Sequence, residues 1–495
     1  MPAQVTTRAQ VNGYRFLIRR LEHALIRADS RMIHDPMRGQ MRAMSVGIVI
    51  AVLLCGTGAV LAFMKPAPNF GNSSIMIGKG NGQLLVRIGD RLHPALNLAS
   101  ARLIAGRNDP PIQVDDKFIN SVPLGPAVGI IGAPTSIAGG DDMTMSSWTV
   151  CDSTQAPDGI PTVTTSVLAN DPDLDGAIHA ASAEQSILAV TDGATYLIYQ
   201  GVRASIDPAN PIIRAALRLG PDDAREVSRG LLESFPLVDP ISPITINGAG
   251  EQTAYLPPGY QVGAILQSAD SRGSQLYVAT REGLQPISAP AADIIRYGNP
   301  QLPTAAQPLA AALISRAPVV HNLPIDHYPS VAPVFIPASS SPVVCMSWQR
   351  GSAATTADTR LLVGSHLPLS AAARPVALAT ADGDGPGLDS VYVRPGTGEY
   401  VQEIGSARDS QAAGALFYVS DLGVRYHVAD ASAAAALGLV GVPVTGGTQD
   451  TPQPAPWAIL SLLPPGPELS QRAALLAHDG MVADRVSASV TVPKS

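Results

Sequence analysis

The stretch that comes nearest to a chemical motif is Ser73-Ser74-Ile75-Met76-Ile77-Gly78-Lys79-Gly80. A phosphate loop of the form G-x-x-x-x-G-K-[ST] needs its first glycine so that the backbone can curl around phosphate, and its last hydroxyl to bind magnesium. Here Ser73 stands in the place of that glycine and Gly80 in the place of the hydroxyl. Gly78 and Lys79 are thus the nucleotide-binding candidates of an incomplete motif. The competing reading is a hairpin turn, Gly78-Lys79-Gly80-Asn81-Gly82, between Ile75-Met76-Ile77 and Leu84-Leu85-Val86.

Other reactive patterns are weaker. Asp171-Pro172-Asp173-Leu174-Asp175 and Asp382-Gly383-Asp384-Gly385-Pro386 have the acidic spacing of calcium loops, but neither supplies glycine at the sixth position and glutamate at the twelfth, so both read as solvated turns. His321 and His327 read as loop or strand-edge residues. The sequence contains no HExxH, GxSxG or GxGxxG pattern. No catalytic residue, metal ligand set or cofactor is expected.

The elements that hold these residues begin with Ala43 to Met64, an uncharged run between Arg42 and Lys65. At ~1.5 Å per helical residue it is long enough to cross a hydrocarbon core of ~30 Å. Arg8, Arg15, Arg19, Arg20, Arg27, Arg31, Arg38 and Arg42 precede it, against Glu22, Asp29 and Asp35. That bias places the head in the cytoplasm and the long remainder outside the membrane. A signal peptide fits poorly, because the leader is long and the run ends in bulky Phe63-Met64-Lys65-Pro66. With 46% hydrophobic and 15% charged residues, 45 Gly and 44 Pro, the chain is too apolar for disorder and suits short strands joined by turns. The net charge of -7 and the lack of a basic stripe outside the head exclude nucleic acid as an expected partner.

Cys55 lies within the apolar run, whereas Cys151 and Cys345 are the two cysteines beyond it, where thiols can be kept oxidised. Their settings echo each other, Trp148-Thr149-Val150-Cys151 against Cys345-Met346-Ser347-Trp348. A disulfide between them is expected, joining related strands in one core; separate buried thiols are the alternative.

Repetition supplies the architecture. Four segments share a strand, a glycine turn, a short apolar strand and an Ala/Leu-rich helix. They run through Leu84-Leu85-Val86, Gly89, Leu92, Leu96 and Ala101 to Ile104; Tyr196-Leu197-Ile198, Gly201-Val202, Ile206 and Ile212 to Leu219; Tyr277-Val278, Gly283-Leu284, Ile287 and Ala291 to Arg296; and Phe417-Tyr418-Val419, Gly423-Val424, Val428 and Ala431 to Leu439. The predicted class is α+β: an amphipathic cytoplasmic helix, one transmembrane helix, and an elongated periplasmic region with a central β-sheet core and four small α/β lobes in pseudo-twofold arrangement. The boundaries read as head 1–42, span 43–64, linker 65–74, lobe one 75–123, core 124–190, lobe two 191–236, connector 237–261, lobe three 262–320, core 321–407, lobe four 408–463, a C-terminal core segment 464–484 and a mobile tail 485–495.

In the head, Val11, Tyr14, Leu17 or Ile18, Leu21 and Leu25 fall along one helical face, with Arg15, Arg19 and Arg27 elsewhere around it. Such a helix can lie on an anionic leaflet or dock its stripe on a partner.

The pieces together resemble one family. Gly13-Tyr14-Arg15-Phe16-Leu17-Ile18-Arg19-Arg20, the single span, Leu92-His93-Pro94-Ala95-Leu96-Asn97-Leu98-Ala99-Ser100-Ala101-Arg102-Leu103-Ile104, Trp148-Thr149-Val150-Cys151-Asp152, Ala455-Pro456-Trp457 and Gly466-Pro467-Glu468-Leu469-Ser470 are similar to EccB, the single-pass core component of actinobacterial type VII (ESX) secretion machines. Leu85, where the family often has Tyr, and Ile131, in place of a usual Pro, are small departures. The resemblance implies a structural role in an inner-membrane export complex with EccC, EccD, EccE and a mycosin protease, self-association in the periplasm, and a partner contact through Val11, Tyr14, Arg15, Leu17, Ile18, Arg19, Leu21 and Leu25. Two alternatives stay open: an ATP-hydrolysing subunit, as the family is sometimes labelled, and an anchor that grips peptidoglycan or another envelope polymer.

Overall fold

The structure, a computed structural model, describes residues 7–31, 36–63, 73–138, 144–155, 161–270, 273–351, 354–383, 385–411, 414–439 and 452–480. The linker expected at 65–74 lies almost wholly outside these residues, and the tail at 485–495 lies wholly outside them. The chain divides into two units, Met1–Asn72 and Ser73–Ser495.

The first unit holds the helices Arg8–Arg27 and Pro36–Phe63. Thr7 and Gln10 form a capping box at the start of the first, satisfying backbone donors that the helix itself leaves open. In the second, Gly39–Val60 is long and apolar enough to cross a membrane by length and composition.

The second unit is built on one supersecondary motif used four times. In lobe one, Ile75–Gly78, Leu84–Ile88 and Arg91–Pro94 form an antiparallel meander, the helix Leu98–Ala105 crosses over, and Ile112–Val114 returns parallel to the first strand. Lobe three repeats this with Ile265–Asp270, Gly273–Ala279, Leu284–Ile287, the helix Ala289–Gly298 and Gln307–Pro308. Lobe four repeats it with Gly398–Ile404, Leu416–Ser420, Arg425–Val428, the helix Ala431–Leu437 and Gln453–Pro456. Lobe two has Gln185–Thr191, Ala194–Tyr199, Val202–Ile206, the helix Pro211–Leu217 and Ala224–Glu226, with Leu237–Ile241 and Val334–Phe335 added to its sheet. Each crossover helix starts on a side-chain cap, Asn97, Asn210, Ser288 or Asp430, which accepts a hydrogen bond from a first-turn amide. A further short helix closes each copy: Asp116–Ile119, Arg229–Ser234, Ala311–Ile314 and Trp457–Leu460.

The repeat read from the sequence caught only the middle of this motif. The first strand of lobe two begins at Gln185, ahead of the boundary at 191, and that of lobe four at Gly398, ahead of 408. Leu237–Ile241, assigned to a connector, is a strand of lobe two. These segments are short and mix polar with apolar residues, so their membership depends on strand pairing, which no local pattern records.

A proline latch recurs in all copies. The amides of Leu92, Arg203, Leu284 and Arg425, on the third strands, donate to the carbonyls of Pro123, Pro236, Pro318 and Pro464 at 3.0, 2.9, 2.7 and 3.0 Å. Proline has a carbonyl but no N–H, so it can anchor the chain here without continuing a ladder on its other side. Arg203 and Arg425 also donate through Nε to the carbonyls of Phe235 and Leu463, and lie over the rings of Tyr196 and Phe417. Lobes one and three carry leucine at this position, so lobe one corresponds to three and two to four.

Between the lobes runs a seven-stranded sheet in the order Val376–Ala377, Ser390–Val393, Thr162–Ala169, Met145–Gln155, Val343–Gly351, Asp358–Gly364, Ile178–Ala180. On one face Trp148, Val150, Val344, Met346 and Trp348 pack with side chains from lobe two, including Ile187, Ile198 and Leu231, and from lobe four, including Val401, Phe417 and Ile459. On the other face Cys151 and Cys345 lie with Leu168, Ile178, Val343 and Leu362. The lobes also pack pairwise in nested order. Leu103 of lobe one shares a core with Ala433 and Leu437 of lobe four, and Ile213 and Leu217 of lobe two share one with Ala291 and Ile295 of lobe three.

Candidate assembly elements and the comparisons

The loop with the phosphate-like spacing is a hairpin turn. Ile75, Met76 and Ile77 pair antiparallel with Val86, Leu85 and Leu84, and Gly78 ends the first strand. Lys79 Nζ donates to Asp115 Oδ1 at 2.9 Å, and the Gly80 amide donates to Asp116 Oδ1 at 3.4 Å. The turn therefore faces carboxylates, which repel phosphate, and Lys79 is held by one of them.

The other candidate loops are satisfied locally. Asp175 accepts from the amides of Ala177 and Ile178 and faces His366 Nε2 at 3.2 Å, and these hydrogen bonds hold its carboxyl below the usual range. Asp171 accepts from Gln349 Nε2, and Asp382 accepts from the Gly387 amide. Asp384 lies outside the described residues. Among the described residues no group of three or more His, Cys, Asp and Glu is placed to hold a metal ion.

On the head helix, Val11, Tyr14, Leu17, Ile18, Leu21 and Leu25 are all exposed, and His23 is the buried residue of the segment. Arg15 and Arg19 are exposed as well. The apolar stripe is thus presented rather than consumed within the described residues of this unit.

Cys151 and Cys345 are bonded and stand opposite each other in the ladder, Cα to Cα at 4.0 Å, both fully buried. Next to Cys151, and on the other face, Asp152 is 1% exposed. Its Oδ2 accepts from the Ser228 amide at 2.6 Å, and its Oδ1 from Ser228 Oγ at 2.7 Å and Thr165 Oγ1 at 3.0 Å. Ser228 Oγ in turn caps the helix Arg229–Ser234 by accepting from the Leu231 amide. Buried Arg225 donates to the carbonyls of Ser341 and Pro342 and to Thr154 Oγ1. Burial pushes the Asp152 carboxyl up to about 6, against the opposing pull of the Ser228 and Thr165 bonds and Arg225. Sequence reading missed this cluster, because its members are distant in the chain and only the Trp148 to Asp152 motif pointed near it.

Of the tyrosines on the second strands of the lobes, Tyr418 is buried, while Tyr196 and Tyr277 are half-buried.

An α+β body of repeated lobes, preceded among the described residues by one helix long and apolar enough to cross a membrane, defines the class of protein. Residues 3–483 match the family described as type VII secretion system ESX-1, transport TM domain B. The protein named ESX-3 secretion system ATPase EccB3 of Mycobacterium tuberculosis is 35% identical over 97% of this chain and 90% of its own length. The protein named ESX-1 secretion system ATPase EccB1 of the same species is 32% identical over 98% of this chain and 97% of its own. In structure, the chain is similar to one in an intact ESX-5 inner membrane complex, with a TM-score of 0.70 at 32% identity over 99% of both chains. It is also similar to one in an EccB3 dimer from the ESX-3 core complex, with a TM-score of 0.70 at 31% identity, covering 82% of this chain and all of that one. The chain belongs to the EccB family.

Proposed function

We propose that this chain is a structural component of an ESX inner-membrane complex that exports protein. The observation that carries this is the near-complete structural correspondence with a chain of the intact ESX-5 inner membrane complex. The helix Pro36–Phe63 is the anchor, the arginine-rich head lies in the cytoplasm by the charge bias across the span, and the lobed body lies on the periplasmic side. EccC, EccD, EccE and a mycosin protease are the proposed partners, and copies of the chain associate through the body. The exposed stripe of Val11, Tyr14, Leu17, Ile18, Leu21 and Leu25, with Arg15 and Arg19, is the proposed cytoplasmic contact.

The test is gentle detergent extraction of the tagged chain from its native membrane, followed by sizing and protein identification. Recovery in a large assembly with the other Ecc components is expected. Leu17→Asp with Leu21→Asp is expected to leave the chain in the membrane but remove it from that assembly. A chain that ran alone in both forms would overturn the reading. The relatives' names include "ATPase"; the carboxylate-lined turn at Lys79 lends that activity no support.

A further inference from the structure

Asp152 sits where lobe two meets the central sheet. Its strand, Met145–Gln155, is central, and its carboxyl faces the N-terminus of the lobe-two helix Arg229–Ser234. Both hydrogen bonds from Ser228 cross that junction, while Thr165 holds the carboxyl from the neighbouring strand. Of the charged groups around it, Arg225 favours ionisation, but its terminal nitrogens donate to Ser341, Pro342 and Thr154, and its buried Nε has no hydrogen-bond partner among the described residues. The Asp389 carboxyl reaches the cluster through the Thr165 amide, and Glu226 and Arg229, which flank the cap, are exposed. A carboxylate in this position is shielded from water and lacks a full counter-ion contact, so its charged form is the costly one.

We propose that Asp152 is a proton-operated latch between lobe two and the central sheet, tight when the carboxyl is neutral and looser when it is ionised. On protonation from solvent, Oδ2 goes on accepting from the Ser228 amide. The new proton sits on Oδ1 and is donated to Ser228 Oγ, whose own hydroxyl hydrogen turns to the water that half-buried Ser228 meets, while the Thr165 hydroxyl goes on donating to Oδ1. Since lobe three packs on lobe two through Ile213, Leu217, Ala291 and Ile295, the latch governs the seating of that whole pair. The burial that raises the carboxyl above its ordinary range favours the same direction.

The test is hydrogen exchange on the full-length chain in detergent between about pH 5 and about pH 8, corrected for intrinsic exchange and read at the amides of Ser228, Leu231 and Leu232. Protection is expected to fall on the order of tenfold or more as the carboxyl ionises, since a tenfold difference in proton affinity between the latched and open forms is a tenfold change in the opening equilibrium. Asp152→Asn is expected to hold protection level across the range, and Asp389→Asn to keep the native profile. Thr165→Val removes a donor to the charged form and is expected to move the midpoint to higher pH. A flat native profile, an Asp152→Asn slope equal to the native one, or an unmoved midpoint in Thr165→Val would overturn the latch.

Discussion

Trp148 and Trp348 stand directly opposite each other on the two central strands, both about 1% exposed, on the face turned away from the Cys151–Cys345 bond. The tryptophans and the disulfide therefore clamp the same strand pair from its two sides. Trp148 Nε1 donates to Ser146 Oγ at 3.0 Å, whereas Trp348 Nε1 has no hydrogen-bond partner among the described residues. Replacing either by alanine is expected to cost about 3–5 kcal/mol. Trp148→Phe should cost more than Trp348→Phe, because only the first loses a hydrogen bond. Denaturant unfolding of the two phenylalanine variants checks the order.

The disulfide spans a sequence separation of 194 residues, and both sulfur-bearing residues are fully buried. The double change Cys151→Ala and Cys345→Ala is expected to lower stability by about 2–5 kcal/mol. In the native chain, reductant should release free thiols only under unfolding conditions. Alkylation and mass spectrometry with and without denaturant tests this directly.

Gly201 has φ +76° and lies against the carbonyl of Thr359 on the central sheet. Thr359 Oγ1 donates back to the Gly201 carbonyl at 3.0 Å, and Arg408 ties Thr359 Oγ1 to the Gln200 carbonyl at 2.7 Å each. Any side chain at this position meets backbone in a conformation that disfavours it. Gly201→Ala is expected to cost on the order of 1–3 kcal/mol, read as a drop in the unfolding midpoint.

Lys79 and Asp115 form an ion pair in which both side chains are about half exposed or more. Such pairs contribute roughly 0–1 kcal/mol. Lys79→Ala is therefore expected to leave stability, complex recovery and secretion unchanged. Magnesium-dependent ATP hydrolysis that copurified with the chain and vanished in this variant would restore the enzymatic reading.

Stability should carry the mark of Asp152. Its carboxyl lies above the ordinary carboxylate range when folded, so between pH ~4 and about 6 the folded state binds the extra proton, and stability falls as pH rises through that window. Asp152→Asn is expected to flatten this part of the curve, with its largest relative gain above pH about 6. Unfolding midpoints of both proteins across that range provide the check.

The sequence was most legible where chemistry is local. The two N-terminal helices and the hairpin at Gly78 follow from periodicity, apolar length and glycine, and the cysteine pair follows from there being two cysteines beyond the apolar run. The repeated glycine turns, such as Gly201 and Gly423, mark the second and third strands of each lobe. What stayed hidden was pairing across distance. Gln185–Thr191 and Gly398–Ile404 look like any short mixed segment until their partners are known. Pro123, Pro236, Pro318 and Pro464 read as ordinary turn residues, because their shared role lies in a carbonyl. Asp152 reads as the polar end of a strand, since Ser228 lies 76 positions away.

The nested packing of the lobes sets an order of events for a chain that emerges from one end. Lobes two and three are neighbours in sequence and can close on each other early. Lobe one is the first lobe to come out yet shares its core with lobe four, and the strand Ala127–Val128, just after it, takes its antiparallel partner from Ala477–His478, close to the end of the described chain. Its apolar face must therefore wait for nearly the whole polypeptide. A chain cut short before lobe four would carry that face uncovered, so a truncated copy is marked for chaperones and proteases by the first of its lobes to be made.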